Sequence, residues 1–229
     1  KTDFTGYGRT EDESEILALA KENQEVSAAS KGDRVEIVVE KTPFYAMAGG
    51  QAGDTGVFET ADAVISIEDT FADPSGLVIH KGEVEKGGPS KGDAVTMKVD
   101  RQKRMHTARN HTATHILHSA LRSIVGDHVK QAGSLVTHDR LRFDFTHFSP
   151  VSEEDMADIE RRVNQRIREN HAVTTEEMSM DDAEKSGAVA LFEEKYGETV
   201  RVVSQGDFSR ELCGGTHVER SGDIGSFRI

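Results

Sequence analysis

Two short clusters of metal-binding side chains lie far apart in a chain of 229 residues: His111-Thr112-Ala113-Thr114-His115 and Cys213-Gly214-Gly215-Thr216-His217. The first falls in a run, Arg101 to Val125, whose apolar positions Ala113, Ile116, Leu117, Ala120, Leu121 and Ile124 recur at helical spacing. Residues four apart on such a helix share a face, so both imidazoles point the same way. The second cluster offers a thiolate and another imidazole around a Gly-Gly pair, which frees the backbone to fold two nearby ligands onto one ion. Together His111, His115, Cys213 and His217 form a Cys/His3 set suited to Zn2+, which prefers nitrogen and sulfur in a tetrahedral array. Ten histidines make an accidental His pair at this spacing easy to find, and the weight falls on the single cysteine standing four residues before a histidine. His118 shares the stripe, but at about 1.5 Å of rise per residue it sits two turns from His111, too far to join the same ion. It reads either as a group behind a ligand or facing a substrate, or as a half-buried surface histidine.

The elements that must position these ligands divide near residue 100. Before it, Arg34 to Glu40, Ala63 to Ile67, Leu77 to His80 and Ala94 to Val99 read as short strands between Gly, Asp and Pro turn signals, predicting a small barrel. Ser14 to Ala20 is ambiguous between helix and strand. The loop Phe44 to Gly56 is glycine-rich but lacks the Gly-Lys-Ser/Thr ending of a nucleotide-binding loop. It reads as a tight turn at the rim of the sheet or as a place where backbone at Gly49, Gly50 and Gln51 approaches a polynucleotide. After residue 100 the pattern alternates. Val129 to Val136 and Leu141 to Phe145 look like strands. A helix from about Ser152 to Asn170 opens on a capping pattern. Thr199 to Ser204, Glu211 to Cys213 and Ile224 to Ile229 would supply a further sheet. The expected fold is α+β, with a β-barrel over 1–100 followed by an α/β core of sheet packed with helices over 101–229.

Composition narrows the function classes. A hydrophobic content of 35% is ordinary for a globular chain, and no stretch approaches the ~18 to 20 apolar residues of a membrane span. One cysteine makes no internal disulfide, which fits a reducing, cytoplasmic setting and favours metal or catalysis. A formal charge of -13 argues against bulk phosphate binding unless basic residues are gathered locally. Lys98, Arg101, Lys103, Arg104 and Arg109 are so gathered beside the proposed metal site, with few acidic neighbours. Arg161, Arg162, Arg166 and Arg168 follow a run of carboxylates and read as a solvated helix face.

The block Arg109 to His118 closely resembles the start of the editing core of alanyl-tRNA synthetase. Leu141-Arg142-Phe143-Asp144-Phe145, Ala190 to Gly197 and Gly206 to His217 resemble the same family in the same order, as does the opening Asp3-Phe4-Thr5-Gly6-Tyr7. Free-standing alanyl-tRNA deacylases share the two metal motifs; the longer matching stretches favour the synthetase. Met47-Ala48 departs from the family, whose loop commonly carries an acidic and a small residue there. The resemblance implies an editing segment of a longer protein, with ATP and Mg2+ serving an aminoacylation module that would precede Lys1. It also implies hydrolysis of tRNA(Ala) mischarged with serine or glycine, with Thr114 and Gln131 lining the pocket beside Cys213. No membrane or protein partner is implied. The zinc either polarises a water or anchors the substrate. Two other readings stay open, a structural zinc module that binds RNA and a hydrolase with Cys213 as nucleophile.

Overall fold

A computed structural model describes residues 1–189 and 197–229. Most of the 190–197 block that carried one of the family resemblances therefore lies outside the described residues. The chain forms two compact units, Lys1–Ala48 with Ala52–Arg104, and Gly49–Gln51 with Met105–Ile229.

The first unit contains β1 (Asp3–Phe4), β2 (Glu11–Lys21), β3 (Gln24–Glu25), β4 (Arg34–Val39), β5 (Lys41–Thr42), β6 (Gly56–Glu59), β7 (Val64–Ala72), β8 (Val78–Lys86) and β9 (Ala94–Val99). Six of them close an antiparallel barrel in the order β2-β4-β8-β7-β6-β9, with β9 returning to β2. Closure leaves no sheet edge, and every second side chain turns inward. Val35, Ile37 and Val39 alternate inward on β4, and Val95, Met97 and Val99 on β9. The helix-or-strand ambiguity at Ser14 to Ala20 resolves as strand. Ile16 and Leu19 are both buried although three apart, because the register shifts between Ile16 and Ala18. Such a bulge reverses which parity faces the core, and a spacing of three imitates a helix.

The second unit holds most of α1 (Arg101–Val125), β10 (Gln131–Val136), β11 (Leu141–Phe145), α2 (Glu153–Glu169), β12 (Val173–Ser179), α3 (Met180–Lys185), β13 (Thr199–Gln205) and β14 (Ser209–Leu212). β10 and β11 make a hairpin, and β12-β13-β14 form an antiparallel sheet. Ser152 caps α2 by accepting the Asp155 N–H, and Asn170 ends it in the left-handed region at φ 53. Ile159, Val163 and Ile167 form one stripe of α2, packed in a core with Ile116, Leu117, Ala120 and Leu121 of α1. These barrel, sheets and helices make an α+β fold.

Short elements β1, β3, β5, β6 and α3 lie outside the expected set, and two further details of the second unit depart from expectation. β12 was not anticipated because its residues are mostly exposed and show no apolar alternation. Ile224 to Ile229 is no strand: a 3-10 turn covers Ser221–Ile224, and Phe227 then bonds to a side chain of α2. The Asn164 amide donates to the Phe227 carbonyl at 2.8 Å and accepts its N–H at 3.0 Å, doing for this segment what a neighbouring strand would do.

Candidate metal centre

α1 presents His111 and His115 on one buried face, and the turn after β14 brings Cys213 and His217 to them. One ligand atom from each of the four lies within 4.8 Å of the others. Cys213 Sγ is 3.4 Å from His111 Nε2 and 3.3 Å from His217 Nε2. A zinc tetrahedron with ordinary bond lengths has S···N edges of roughly 3.5 Å. Cys213 and His217 are half-buried while His111 and His115 are buried, so the cluster is reached from the side of the Cys213 turn.

The opposite nitrogen of each imidazole faces a side-chain oxygen. His111 Nδ1 lies 2.7 Å from Gln51 Oε1, and His217 Nδ1 lies 3.1 Å from Thr112 Oγ1. His115 Nδ1 lies 3.1 Å from Glu211 Oε2. Such outer partners fix ring orientation and leave the Nε2 lone pairs for a metal. Neither nitrogen of the buried His115 ring makes a hydrogen bond, Glu211 Oε2 being near Nδ1 without bonding geometry, and an unpaired Nε2 is costly unless a cation takes its lone pair. The donor set and this orphaned atom both fit zinc.

At Cys213 and His217 the electrostatics agree with a ligand set, whereas at His115 a metal would have to displace a proton. Burial opposes ionisation of the Cys213 thiol, but the three imidazoles outweigh it and hold its pKa well below the ordinary value. Burial, together with the charge of His111, pushes His217 down to about 3 and so keeps it neutral. Burial also opposes a proton on His115, yet the charges of Glu211 and Cys213 raise it to about 9.

The turn itself is tightly held. Arg201 donates to the carbonyls of Cys213 and Gly215, both at 2.9 Å. A Cβ on Gly215 would come within 2.1 Å of the His111 ring, so only glycine lets the turn pass a histidine fixed by Gln51. The Gly215 N–H points to Cys213 Sγ at 3.4 Å.

Other residues singled out by sequence are placed differently. Gln51, expected at an RNA surface, is fully buried. Its Oε1 accepts the Thr216 N–H at 2.9 Å besides facing His111, and its Nε2 donates to Thr216 Oγ1. Its amide thus ties the glycine loop to both metal clusters and is not available to a polynucleotide. Gly50 carries φ 85 and accepts the Val136 N–H, while Gly49 is exposed. Arg104 is also turned inward, against expectation: it is buried and bonds to Asp54 and to the carbonyls of Gly6 and Pro43, out of reach of a phosphate. Arg101 is exposed, and Arg109 is half-buried with its Nε unpartnered. Thr114 is buried, its hydroxyl donating to the Asn110 carbonyl one turn back. Gln131 opens β10 opposite Phe145, half-buried. No hydrogen bond among the described residues ties Thr114 or Gln131 to the four ligands.

His118 is a buried group behind a ligand, its Nδ1 being 2.8 Å from Glu211 Oε1. Glu211 thus bridges His115 and His118. It had a legible signal, lying two residues before Cys213, the period that puts strand residues on one face.

Comparison with known sequences decides the family. Residues 1–103 match the model for tRNA synthetases class II (A), and residues 200–229 match the threonyl and alanyl tRNA synthetase second additional domain. The chain is 55% identical over all 229 residues to an alanine–tRNA ligase of Desulfosudis oleivorans. It is 49% identical over 229 residues to that of Acetivibrio thermocellus and 50% identical over 228 to that of Nitrosomonas europaea. The chain belongs to the alanyl-tRNA synthetase family. It spans about a quarter of these relatives, 26% of the length of each. In this alanyl-tRNA synthetase segment the four candidate ligands join α1 to the part matched by the second additional domain. No helix among the described residues is long and apolar enough to cross a membrane.

Proposed function

We propose that this chain is the editing part of an alanyl-tRNA synthetase and hydrolyses the ester linking serine or glycine to tRNA(Ala). The observation that carries the reading is the convergence of three imidazole Nε2 atoms and one thiolate, open to solvent on one side, in a chain of this family. A pocket sized for alanine rejects glycine by only ~1 to 3 kcal/mol and an added hydroxyl little better, so fidelity calls for a second, hydrolytic sieve. Ligation of alanine with ATP and Mg2+ belongs, on this reading, to the rest of the whole protein.

His111, His115, Cys213 and His217 would hold zinc. Bound there, zinc supplies a positive charge that anchors the substrate or polarises a water. Gln51, Glu211 and Thr112 hold the ligand rings in place. Thr114 keeps acceptor lone pairs after donating to Asn110, and with Gln131 it would orient the attacking water at the ester. Arg101, Arg109 and the exposed backbone of Gly49 would contact the RNA. A zinc module that binds RNA without catalysis is the second reading, favoured by one observation: four protein ligands already fill a tetrahedral shell.

The deciding experiment incubates the purified, zinc-loaded chain with Ser-tRNA(Ala) and follows free serine. Release by the native chain and its loss in Cys213→Ala is the expected result. Zinc and tRNA both bound, with no serine released, would leave the RNA-binding module standing.

A further inference from the structure

Behind the metal cluster, on the far side of Glu211, lies a cavity of about 230 Å³ lined by His118, Arg122, Ser209, Arg210 and Glu211 among others. Its wall is unusual in how many polar atoms it leaves unmatched. His118 Nε2, Ser209 Oγ, Arg122 Nε and Arg210 Nε are all buried and without a hydrogen-bond partner. His118 and Ser209 are more than nine-tenths buried, with 2% and 6% exposure. Leaving such groups unpaired costs their full desolvation, and four around one cavity form a set awaiting a common partner.

The chemistry of that partner follows from the wall. Two guanidiniums stand at the mouth, their side chains 34% and 37% exposed. Each has a counter-charge: Arg122 meets Asp127 at 3.5 Å, and Arg210 meets Glu176 at 3.0 Å, both through Nη2, leaving each Nε unpaired. Two carboxylates line the wall: Glu211, which faces His115 and His118, and Asp127, exposed at the rim and paired with Arg122. Guanidinium and hydroxyl donors on residues that line one space suit a tetrahedral oxyanion, and His118 Nε2 can meet it as donor or acceptor. The volume admits one such anion with a few waters, each needing ~30 Å³.

We propose that this cavity is a phosphate-binding site, seated on His118, Ser209, Arg122 and Arg210 and joined to the metal cluster through Glu211. The phosphate could belong to a polynucleotide backbone or be free; only the first source rests on the tRNA reading above. Inorganic phosphate is the probe, titrated into the zinc-loaded chain while the His118 ring is followed by NMR, with chloride at equal ionic strength as control. Saturable shifts with phosphate and none with chloride are expected. Ser209→Ala and Arg210→Gln should each weaken binding about tenfold, the loss of one donor to a charged group, with zinc content unchanged. No saturable shift in the native chain would overturn the site, as would unaltered affinity in a folded Ser209→Ala/Arg210→Gln double variant. Uncharged tRNA(Ala) that displaces phosphate identifies the backbone as source, and failure to displace it identifies a free phosphate. Because binding is read directly, a chain that takes phosphate but releases no serine would sink the editing reading and leave this one standing.

Discussion

His80 in the barrel and His115 in the second unit are both fully buried imidazoles, and their surroundings treat them in opposite ways. His80 has a partner at each nitrogen: Thr42 Oγ1 at 2.8 Å from Nε2 and the Ile37 carbonyl at 3.1 Å from Nδ1. Burial among Phe44, Phe58 and aliphatic side chains pushes its pKa down to about 4, so it is a neutral part of an apolar core. His115 has a carboxylate near one nitrogen, but neither of its nitrogens makes a hydrogen bond. A buried histidine whose two nitrogens are both satisfied within the protein is structural. One left open among other ligand atoms is a place for something the chain does not itself contain.

The contrast breaks most visibly on metal removal. Stripping zinc with a chelator, or Cys213→Ala, should destabilise the second unit by on the order of several kcal/mol, since binding energy at such a site is folding energy. Hydrogen exchange should quicken along α1 and stay unchanged in β4 and β8. Equal loosening of both units would end the distinction.

Acid should act the other way, on the barrel. In the unfolded chain His80 takes its proton near the ordinary 6.5, whereas in the fold it waits until about 4. The stability it contributes is therefore complete above pH 6.5, falls as pH drops from 6.5 to 4, and levels off below. The loss amounts to roughly 3 kcal/mol at 1.36 kcal/mol per unit. Exchange of β4 and β8 amides over this range measures it, and His80→Gln should flatten the profile. A variant that keeps the native slope would assign the acid sensitivity elsewhere.

The smallest effect sharpens the comparison at one side chain. Gln51→Ala removes the oxygen that fixes the His111 ring and should weaken zinc binding about 10- to 100-fold, while Gln51→Glu, which keeps an acceptor, should largely restore it. Competition against a chelating dye reads both. Native affinity in Gln51→Ala would reduce Gln51 to a loop fastener.

Local pattern determined a good deal of this protein. Helical spacing placed α1 at its observed bounds and set His111 and His115 on one face, and the lone cysteine four residues from His217 completed the ligand set. Alternation marked most of the barrel strands, and Ser152 with Asn170 bounded α2. These features are legible because a helix or strand repeats with a fixed period, and because caps and turns depend on neighbours a few residues away. What touches a side chain from afar has no such period. The bulge that inverts β2, the Asn164 amide that replaces a strand partner for Phe227, and the turning of Arg104 onto Asp54 were decided by tertiary packing alone. Gln51 is the clearest case. In sequence it is one polar residue in a glycine-rich loop, 60 positions from His111; only the folded chain, in which buried polar groups seek partners, makes it the residue that aims a candidate metal ligand.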